Sequence, residues 1–337
     1  MRGFRHNFAW LPVALFVPFW TPLLAQSATC VDPSPHRTQF VSVEKGVKLE
    51  VLDWGGSGKP IVLLAGGGDT AHTFDDFAPK LTAHDHVYAI TRRGFGASGY
   101  APSDNVTDRL GEDVLAVMSV LKLKKPVLVG HSIAGAEMSW IANHNPQLVA
   151  GLIYLEAGYS YAFDNGKGAS VMAMQALQAP QPPAPSKADL ASFCALANYY
   201  QHINGFRFPE TELRQEREPN PDGTVGEYRQ FPGGAMLMSL IKNSPKYMAI
   251  PVPALFLFAN PHSLGKWVDQ NSDPNVQSGA RTYSTALTAL TKRQEDAVRN
   301  GLPATRVITV PYGNHYVYLS NEEVVLRDIR AFVSSLH

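Results

Sequence analysis

A serine among small residues and a histidine near the end of the chain are the residues best suited to chemistry. Ser132 lies in Gly130-His131-Ser132-Ile133-Ala134-Gly135, after an apolar run and before a helical pattern. His315 follows the last apolar run. A serine hydroxyl becomes nucleophilic when a nearby imidazole removes its proton. The pair predicts acyl transfer through Ser132 with His315 as general base, whereas the plainer alternative for Ser132 is a helix N-cap.

A carboxylate must orient the histidine and stabilise its protonated form. We predict Glu156 for this role, because it ends the apolar run 152–155 that follows the helix after Ser132. The chain order of serine, acid and histidine also fits. Asp164 and Asp269 are the alternatives. The loop at 260–263, after the next apolar run, contains no acid.

Donors for the oxyanion of an acyl-transfer intermediate are expected at two places. One is the backbone N–H of Ile133, which directly follows the nucleophile. The other is the glycine run 66–68, where we predict Gly67, with Gly68 as the alternative. Glycine allows the backbone to approach a substrate closely. The simpler interpretation of three glycines is a flexible turn.

The elements that must position these residues alternate between short apolar strands and helices. This alternation predicts an α/β fold, with a mostly parallel sheet covered by helices on both faces. The first two strands are joined by a short turn and are predicted to be antiparallel. A capping box of Ser320 and Glu323 predicts the start of the last helix. The predicted strands are 39–43, 47–54, 60–65, 86–90, 126–129, 148–155, 252–258 and 306–310, and the predicted helices are 74–81, 104–121, 133–143, 280–300 and one from 320 onward.

Residues 159–250 interrupt this alternation. The segment contains a proline cluster, a polar run and many aromatic residues, and it is too long for a simple loop. We predict a lid inserted between core segments 28–158 and 251–337, the alternative being a disordered linker.

The first 27 residues have the pattern of a secretory signal peptide. Basic residues precede an apolar run, and small residues follow it. This pattern predicts a periplasmic or secreted protein with no stable membrane span after leader cleavage. The chain has two cysteines, Cys30 and Cys194, which either form one disulfide or remain unpaired.

Over nearly all of the mature chain, the sequence resembles the α/β-hydrolase superfamily. The likeness is carried by residues 63–68, by Arg93-Gly94-Phe95-Gly96-Ala97-Ser98 and by residues 130–135, although Thr91 stands where many members have aspartate. The resemblance implies hydrolysis without cofactor or metal beneath a lid. Some members carry their acid after the sixth strand, which supports Glu156. Haloalkane dehalogenases and epoxide hydrolases have aspartate in place of Ser132, so their chemistry is disfavoured.

Composition narrows the choice of partner. The chain has 337 residues, of which 45% are hydrophobic and 17% charged, and its formal net charge is zero. This balance favours a folded body and disfavours a nucleic-acid partner. We therefore expect an exported serine hydrolase that cleaves a small ester or related acyl bond. A serine aminopeptidase and a non-catalytic binding protein with the same fold are the alternatives.

Overall fold

An eight-stranded sheet forms the centre of the structure, a computed structural model that describes residues 34–336. The predicted leader and Cys30 lie outside the described residues. The strands are β1 (Arg37–Glu44), β2 (Val47–Gly55), β3 (Lys59–Leu64), β4 (Asp85–Ile90), β5 (Val127–His131), β6 (Gly151–Leu155), β9 (Ala254–Ala259) and β10 (Arg306–Val310), and a separate hairpin is formed by β7 (Arg217–Pro219) and β8 (Val225–Tyr228).

The sheet is parallel except for β2. Its order is β1-β2-β4-β3-β5-β6-β9-β10, and β2 pairs antiparallel with both of its neighbours. Strands β5, β6 and β9 are buried along their whole length, as expected for a parallel sheet covered on both faces. The predicted α/β fold class and the antiparallel opening pair are confirmed. Because β5 and β6 are neighbours, the residues that follow them meet at one edge of the sheet.

Helices pack on both faces of this sheet and form two large apolar clusters with it. The helices are α1 (Val106–Val120), α2 (Ala134–His144), α3 (Val171–Gln175), α4 (Phe193–Asn204), α5 (Glu210–Glu216), α6 (Gly234–Asn243), α7 (Lys266–Asp269), α8 (Pro274–Gly301), α9 (Val317–Ser320) and α10 (Glu322–Ser335).

Several predicted elements differ in the structure, among them the long helix α8, which begins at Pro274 and not at residue 280. The helix predicted at 74–81 is replaced by two short 3₁₀ turns, Ala71–Phe74 and Ala78–Lys80. Pro79 has no N–H to donate to the carbonyl four residues earlier, so an α-helix cannot continue through it. The strand predicted from residue 148 begins only at Gly151, because a 3₁₀ turn occupies Pro146–Leu148.

The predicted capping box at Ser320 is wrong. The last helix, α10, starts after Asn321, and a single turn, α9, precedes it. The Ser320 hydroxyl accepts a hydrogen bond from the Asn314 N–H at 2.9 Å and donates one to Asn321 Oδ1 at 2.7 Å. Ser320 therefore supports the loop before His315 and does not cap the helix.

The segment at 159–250 contains α3 to α6 and the β7–β8 hairpin. Its aromatic residues Phe193, Phe206 and Phe208 form an apolar cluster with Leu213. Helix α6 instead packs Leu240 and other residues against the main core. The segment is thus folded, not a disordered linker, and part of it packs on the main core; its role as a lid stays a prediction.

Among residues 34–336, no helix has the length and apolar character that a membrane span requires. Cys194, on α4, takes part in a disulfide. Because Cys30 lies outside the described residues, its pairing with Cys194 stays a prediction.

Candidate active site

Ser132 stands on a sharp turn between β5 and α2. Its φ is 51°, a left-handed conformation that is costly for a residue other than glycine. The turn leaves no room beside it, because a Cβ on Gly135 would lie 2.1 Å from the Ala157 carbonyl oxygen. Small neighbours are therefore a steric requirement of this turn. It projects the Ser132 hydroxyl from the carboxyl end of the sheet.

The imidazole of His315 reaches this hydroxyl from the loop between β10 and α9. Its Nε2 lies 3.0 Å from Ser132 Oγ, and its side chain is 45% exposed. His131 contacts the same loop, and its Nε2 lies 2.9 Å from the His315 carbonyl oxygen. The structure therefore brings together residues that are 183 positions apart in the chain.

Glu156 follows β6 and is fully buried beside this pair. Like Ser132, it has a positive φ, here 50°. Its Oε1 accepts the Ala259 N–H at 2.6 Å, and its Oε2 accepts the Tyr159 hydroxyl at 2.8 Å. The same Oε2 lies 3.4 Å from His315 Nδ1. With its proton on Nδ1, His315 donates to Glu156 and accepts from Ser132.

The two alternative acids lie elsewhere. The Asp164 carboxylate accepts the Gly166 N–H at 2.8 Å and faces Lys246. Asp269 is an exposed residue of α7. The geometry therefore favours Glu156.

Sequence reasoning missed a second histidine at this carboxylate. His262 Nε2 lies 2.7 Å from Glu156 Oε2, and its side chain is 8% exposed. In the sequence, this loop is distinguished only by its lack of an acid. The loop follows β9, the strand next to β6, so its position at the same sheet edge was the available signal.

The histidines determine the charge of Glu156. Burial by itself would raise the pKa of this carboxyl, but the charges and hydrogen bonds of His262 and His315 outweigh it. The pKa is held well below its usual range, so Glu156 is an anion at neutral pH. Burial and this anion together raise the pKa of Tyr159 well above its ordinary value, which keeps the Tyr159 hydroxyl a hydrogen-bond donor.

The two backbone N–H groups predicted to bind an oxyanion belong to Ile133 and Gly67, which are neighbours in the structure. Ile133 precedes the first turn of α2, so its N–H has no acceptor within the helix. Gly67 lies against Ile133, since a Cβ on Gly67 would be 3.5 Å from the Ile133 Cγ2. Within residues 34–336, no backbone carbonyl accepts from either group outside regular helices and strands. Gly68, the alternative donor, has a φ of 94°.

A cavity of about 500 Å³ opens above Ser132 and His315. Segment 159–250 contributes much of its wall. No lysine or arginine of the described chain lines it, and Glu156 is its one acidic lining residue. Its larger apolar and aromatic side chains include those of Tyr161, Met174, Ile241, Trp267, Tyr283 and Leu287.

Three carboxylates cluster behind the glycine loop. Asp69 follows the glycine loop, and Glu212 and Glu216 belong to α5. Each places a carboxylate oxygen within 4.8 Å of the others, so α5 contacts this loop through acidic side chains. Both Glu212 oxygens accept hydrogen bonds from Thr70. Burial and the neighbouring Asp69 raise the pKa of Glu216 to about 7. The cluster therefore holds protons at pH values where free carboxyls have lost them.

Comparison with known proteins identifies the family. The model of the alpha/beta hydrolase family matches residues 61–327. A solved E-2-(acetamidomethylene)succinate hydrolase has a TM-score of 0.60 at 20% identity, covering 89% of this chain and 100% of its own. At that identity the likeness shows the fold alone.

Curated relatives match the chain over shorter stretches. An esterase of Mycobacterium tuberculosis is 29% identical over 135 residues, which are 40% of this chain and 44% of the esterase. A pyrethroid hydrolase of Sphingobium wenxiniae is 35% identical over 107 residues, 29% of this chain and 35% of that enzyme. The chain thus matches less than half the length of these relatives. With the family model covering most of its length, the chain belongs to the alpha/beta hydrolase family.

Proposed function

We propose that this protein is a serine hydrolase that cleaves small neutral esters through Ser132, His315 and Glu156. The observation that carries the proposal is the 3.0 Å contact between Ser132 Oγ and His315 Nε2, with the buried Glu156 anion behind the imidazole. The esterase and the pyrethroid hydrolase among the relatives support hydrolytic chemistry.

The proposed reaction has two halves. Ser132 Oγ attacks the acyl carbon while its proton passes to His315 Nε2, and the carbonyl oxygen becomes an oxyanion held by the N–H groups of Gly67 and Ile133. The intermediate collapses, the bond to the alcohol oxygen breaks, and His315 protonates that oxygen. A water molecule then loses a proton to His315 and attacks the acyl-enzyme, and His315 returns that proton to Ser132 Oγ as the bond to the acyl carbon breaks and the acid is released. Glu156 stabilises the imidazolium in both halves.

The cavity indicates the substrate class. Its lining is mostly aromatic and aliphatic, and among the described residues it offers no lysine or arginine to pair with a carboxylate or phosphate on the substrate. Burying an unpaired charge costs far more than burying an apolar group of similar size. We therefore propose a neutral substrate with an apolar or aromatic acyl or alcohol portion.

This cavity also argues against the aminopeptidase alternative. Such an enzyme needs a free carboxylate to bind the substrate's amine. Glu156 is the acid in the cavity wall, and its oxygens already accept from Ala259, Tyr159 and His262.

The test combines a covalent probe with turnover. We expect a fluorophosphonate to label the purified protein at Ser132, and p-nitrophenyl butyrate to be hydrolysed. Both reactions should be abolished in Ser132→Ala and retained in Ser139→Ala, which removes a buried α2 hydroxyl that contacts Tyr154. A charged analogue, p-nitrophenyl hemisuccinate, should turn over far more slowly. Absence of labelling and turnover in the wild type would favour the non-catalytic binding protein.

The proposal of export rests on the sequence pattern of residues 1–27. Expression of the full chain in a bacterium and N-terminal sequencing of the product test it. A mature protein starting near residue 26 or 28, recovered from the periplasm or medium, is the expected result. An intact N-terminus in the cytoplasm would contradict it.

A further inference from the structure

A buried arginine connects the glycine loop to the helix that follows the nucleophile. Arg92 lies just after β4 and is 5% exposed. Its Nη1 donates to the Gly66 carbonyl oxygen and its Nη2 to the Ala65 carbonyl oxygen, each at 2.9 Å. Its Nε donates to Glu137 on α2, itself 3% exposed. One guanidinium thus binds both parts of the chain that carry the proposed oxyanion donors.

Because the peptide bond is planar, the contacts of Arg92 also determine the direction of the Gly67 N–H. In a trans peptide, the C=O and the following N–H point to opposite sides. The Gly66 carbonyl and the Gly67 N–H belong to the same peptide unit. When Arg92 holds the Gly66 oxygen on one side, the Gly67 N–H is directed to the other. Glycine alone would leave this peptide free to rotate, because its backbone has no side chain to restrict it.

Glu137 connects Arg92 to the second proposed donor, the Ile133 N–H. It lies in the first turn of α2, four residues after Ile133. Because a helix is rigid over one turn, fixing Glu137 against Arg92 fixes the position of the Ile133 N–H relative to the glycine loop. The ion pair also balances the two charges, neither of which is stable alone in a buried site.

We propose that Arg92 and Glu137 are positioning residues that set the geometry of the oxyanion hole in this hydrolase. The inference rests on the proposed function and adds to it the residues that hold the N–H groups of Gly67 and Ile133 in fixed positions relative to each other. Neither residue contacts the cavity, so the pair acts through the backbone of Gly67 and Ile133.

The chain supplies a matched control next to this pair. Arg93 is also fully buried and binds Asp113 through its Nε at 2.5 Å and its Nη2 at 2.6 Å. It contacts Glu44 and the Ala101 carbonyl, and no atom of the glycine loop. Loss of the Arg93 pair should therefore lower stability without moving the oxyanion donors.

The experiment compares Arg92→Lys and Glu137→Gln with Arg93→Lys and Asp113→Asn. Removal of a single oxyanion donor lowers kcat by about 10²–10³-fold in well-studied hydrolases. A donor that is displaced but present should cost less, so we expect about 10–100-fold in kcat with KM within about threefold in the first pair. The control pair should show a lower melting temperature and a kcat within about threefold of wild type at a temperature where all variants are folded.

Binding of a trifluoromethyl ketone gives a readout besides turnover. Its hemiketal adduct with Ser132 places an oxyanion in the hole, so its affinity should fall in Arg92→Lys by the same factor as kcat/KM. Affinity for the product acid should not change. Equal kcat losses in the two pairs, or ketone affinity that is unchanged in both Arg92→Lys and Glu137→Gln, would overturn the proposal. A wild type that neither turns over esters nor reacts with fluorophosphonate would instead refute the proposed function, and this inference with it.

Discussion

His262 lies closer to the Glu156 carboxylate than His315 does. The Nε2 of His262 is 2.7 Å from Glu156 Oε2, whereas the Nδ1 of His315 is 3.4 Å from the same oxygen. One buried oxygen thus serves two imidazoles, of which only His315 reaches Ser132. His262 and Tyr159 hold the carboxylate in place, while His315 remains the more exposed of the two imidazoles, as the proposed general base must be.

Substitution of Glu156 tests its role directly. Glu156→Gln keeps the shape but removes the charge that stabilises the His315 imidazolium, and the amide favours the wrong tautomer. We expect kcat on p-nitrophenyl butyrate to fall by about 10²–10⁴-fold, the upper value being typical of the equivalent change in serine proteases.

Two other acids serve as controls for that variant. Asp164→Asn and Asp269→Asn should leave kcat within about twofold, since neither carboxylate is near His315. If Glu156→Gln kept near-normal turnover and either Asp164→Asn or Asp269→Asn were inactive, the aspartate of the inactive variant would be the acid that orients His315.

The acid stability of the protein should depend on His262. The folded pKa of Glu156 lies below its unfolded value near 4.5, so its ionisation stabilises the fold above that pH. This contribution is lost as the pH falls toward the folded pKa. In His262→Gln the Glu156 pKa rises toward its unfolded value, so the ionised carboxylate contributes less stability than in wild type. We expect the midpoint of acid unfolding, followed by circular dichroism, to move upward.

His86→Gln is the comparison for that experiment. His86 Nε2 lies 2.8 Å from Asp53 Oδ1, a similar contact, but its side chain is 31% exposed. Water can replace a partner at such a site, so the midpoint should hardly move. Equal shifts in the two variants would show that His262 has no special effect on Glu156.

The meeting of Ser132 and His315 could be expected from sequence because their signals are local. A serine between small residues after an apolar strand requires a tight turn, and the turn fixes where the hydroxyl points. His262 carries no such signal, since its importance comes from the adjacency of β6 and β9. Ser320 had a valid capping pattern, but its hydroxyl serves Asn314, a contact that only the folded loop creates. The contacts of Arg92 likewise depend on carbonyl oxygens of the loop after β3, the strand next to β4.

The turn at Ser132 should tolerate no side chain at Gly135. A Cβ there would lie 2.1 Å from the Ala157 carbonyl oxygen, a backbone atom that cannot move without shifting the chain after Glu156. We expect Gly135→Ala to lower the free energy of unfolding by about 1–3 kcal/mol in urea titrations. Labelling of Ser132 by fluorophosphonate should slow as well, because the turn and the Glu156 loop move together.

Gly279→Ala gives the opposite expectation. Gly279 lies on α8 with open space where its Cβ would be. Alanine there should raise the free energy of unfolding by about 0.5–1 kcal/mol, since it removes backbone freedom from the unfolded chain. If both variants lost stability equally, the steric argument for the turn would be wrong.

The acid cluster behind the glycine loop predicts a second pH dependence, at higher pH. The folded pKa of Glu216 is about 7, above its unfolded value of 4.5. Between these values the folded state binds more protons than the unfolded state, so stability falls as the pH rises. The contribution is fully present below about 4.5 and lost through about 7. We expect wild type to lose about 2 kcal/mol more than Glu216→Gln between pH 5 and pH 7.5, because glutamine cannot ionise.

Urea unfolding at the two pH values measures this difference, with Glu218→Gln as the control. Glu218 is exposed and pairs with Arg229 at 2.7 Å, so its loss should leave the pH dependence of wild type intact. Because α5 is docked on Asp69 through Glu212 and Glu216, ionisation of the cluster sets like charges against each other at the base of the glycine loop. A Glu216→Gln protein with the same pH dependence as wild type would mean that the cluster keeps its charges balanced by other groups and does not couple α5 to pH.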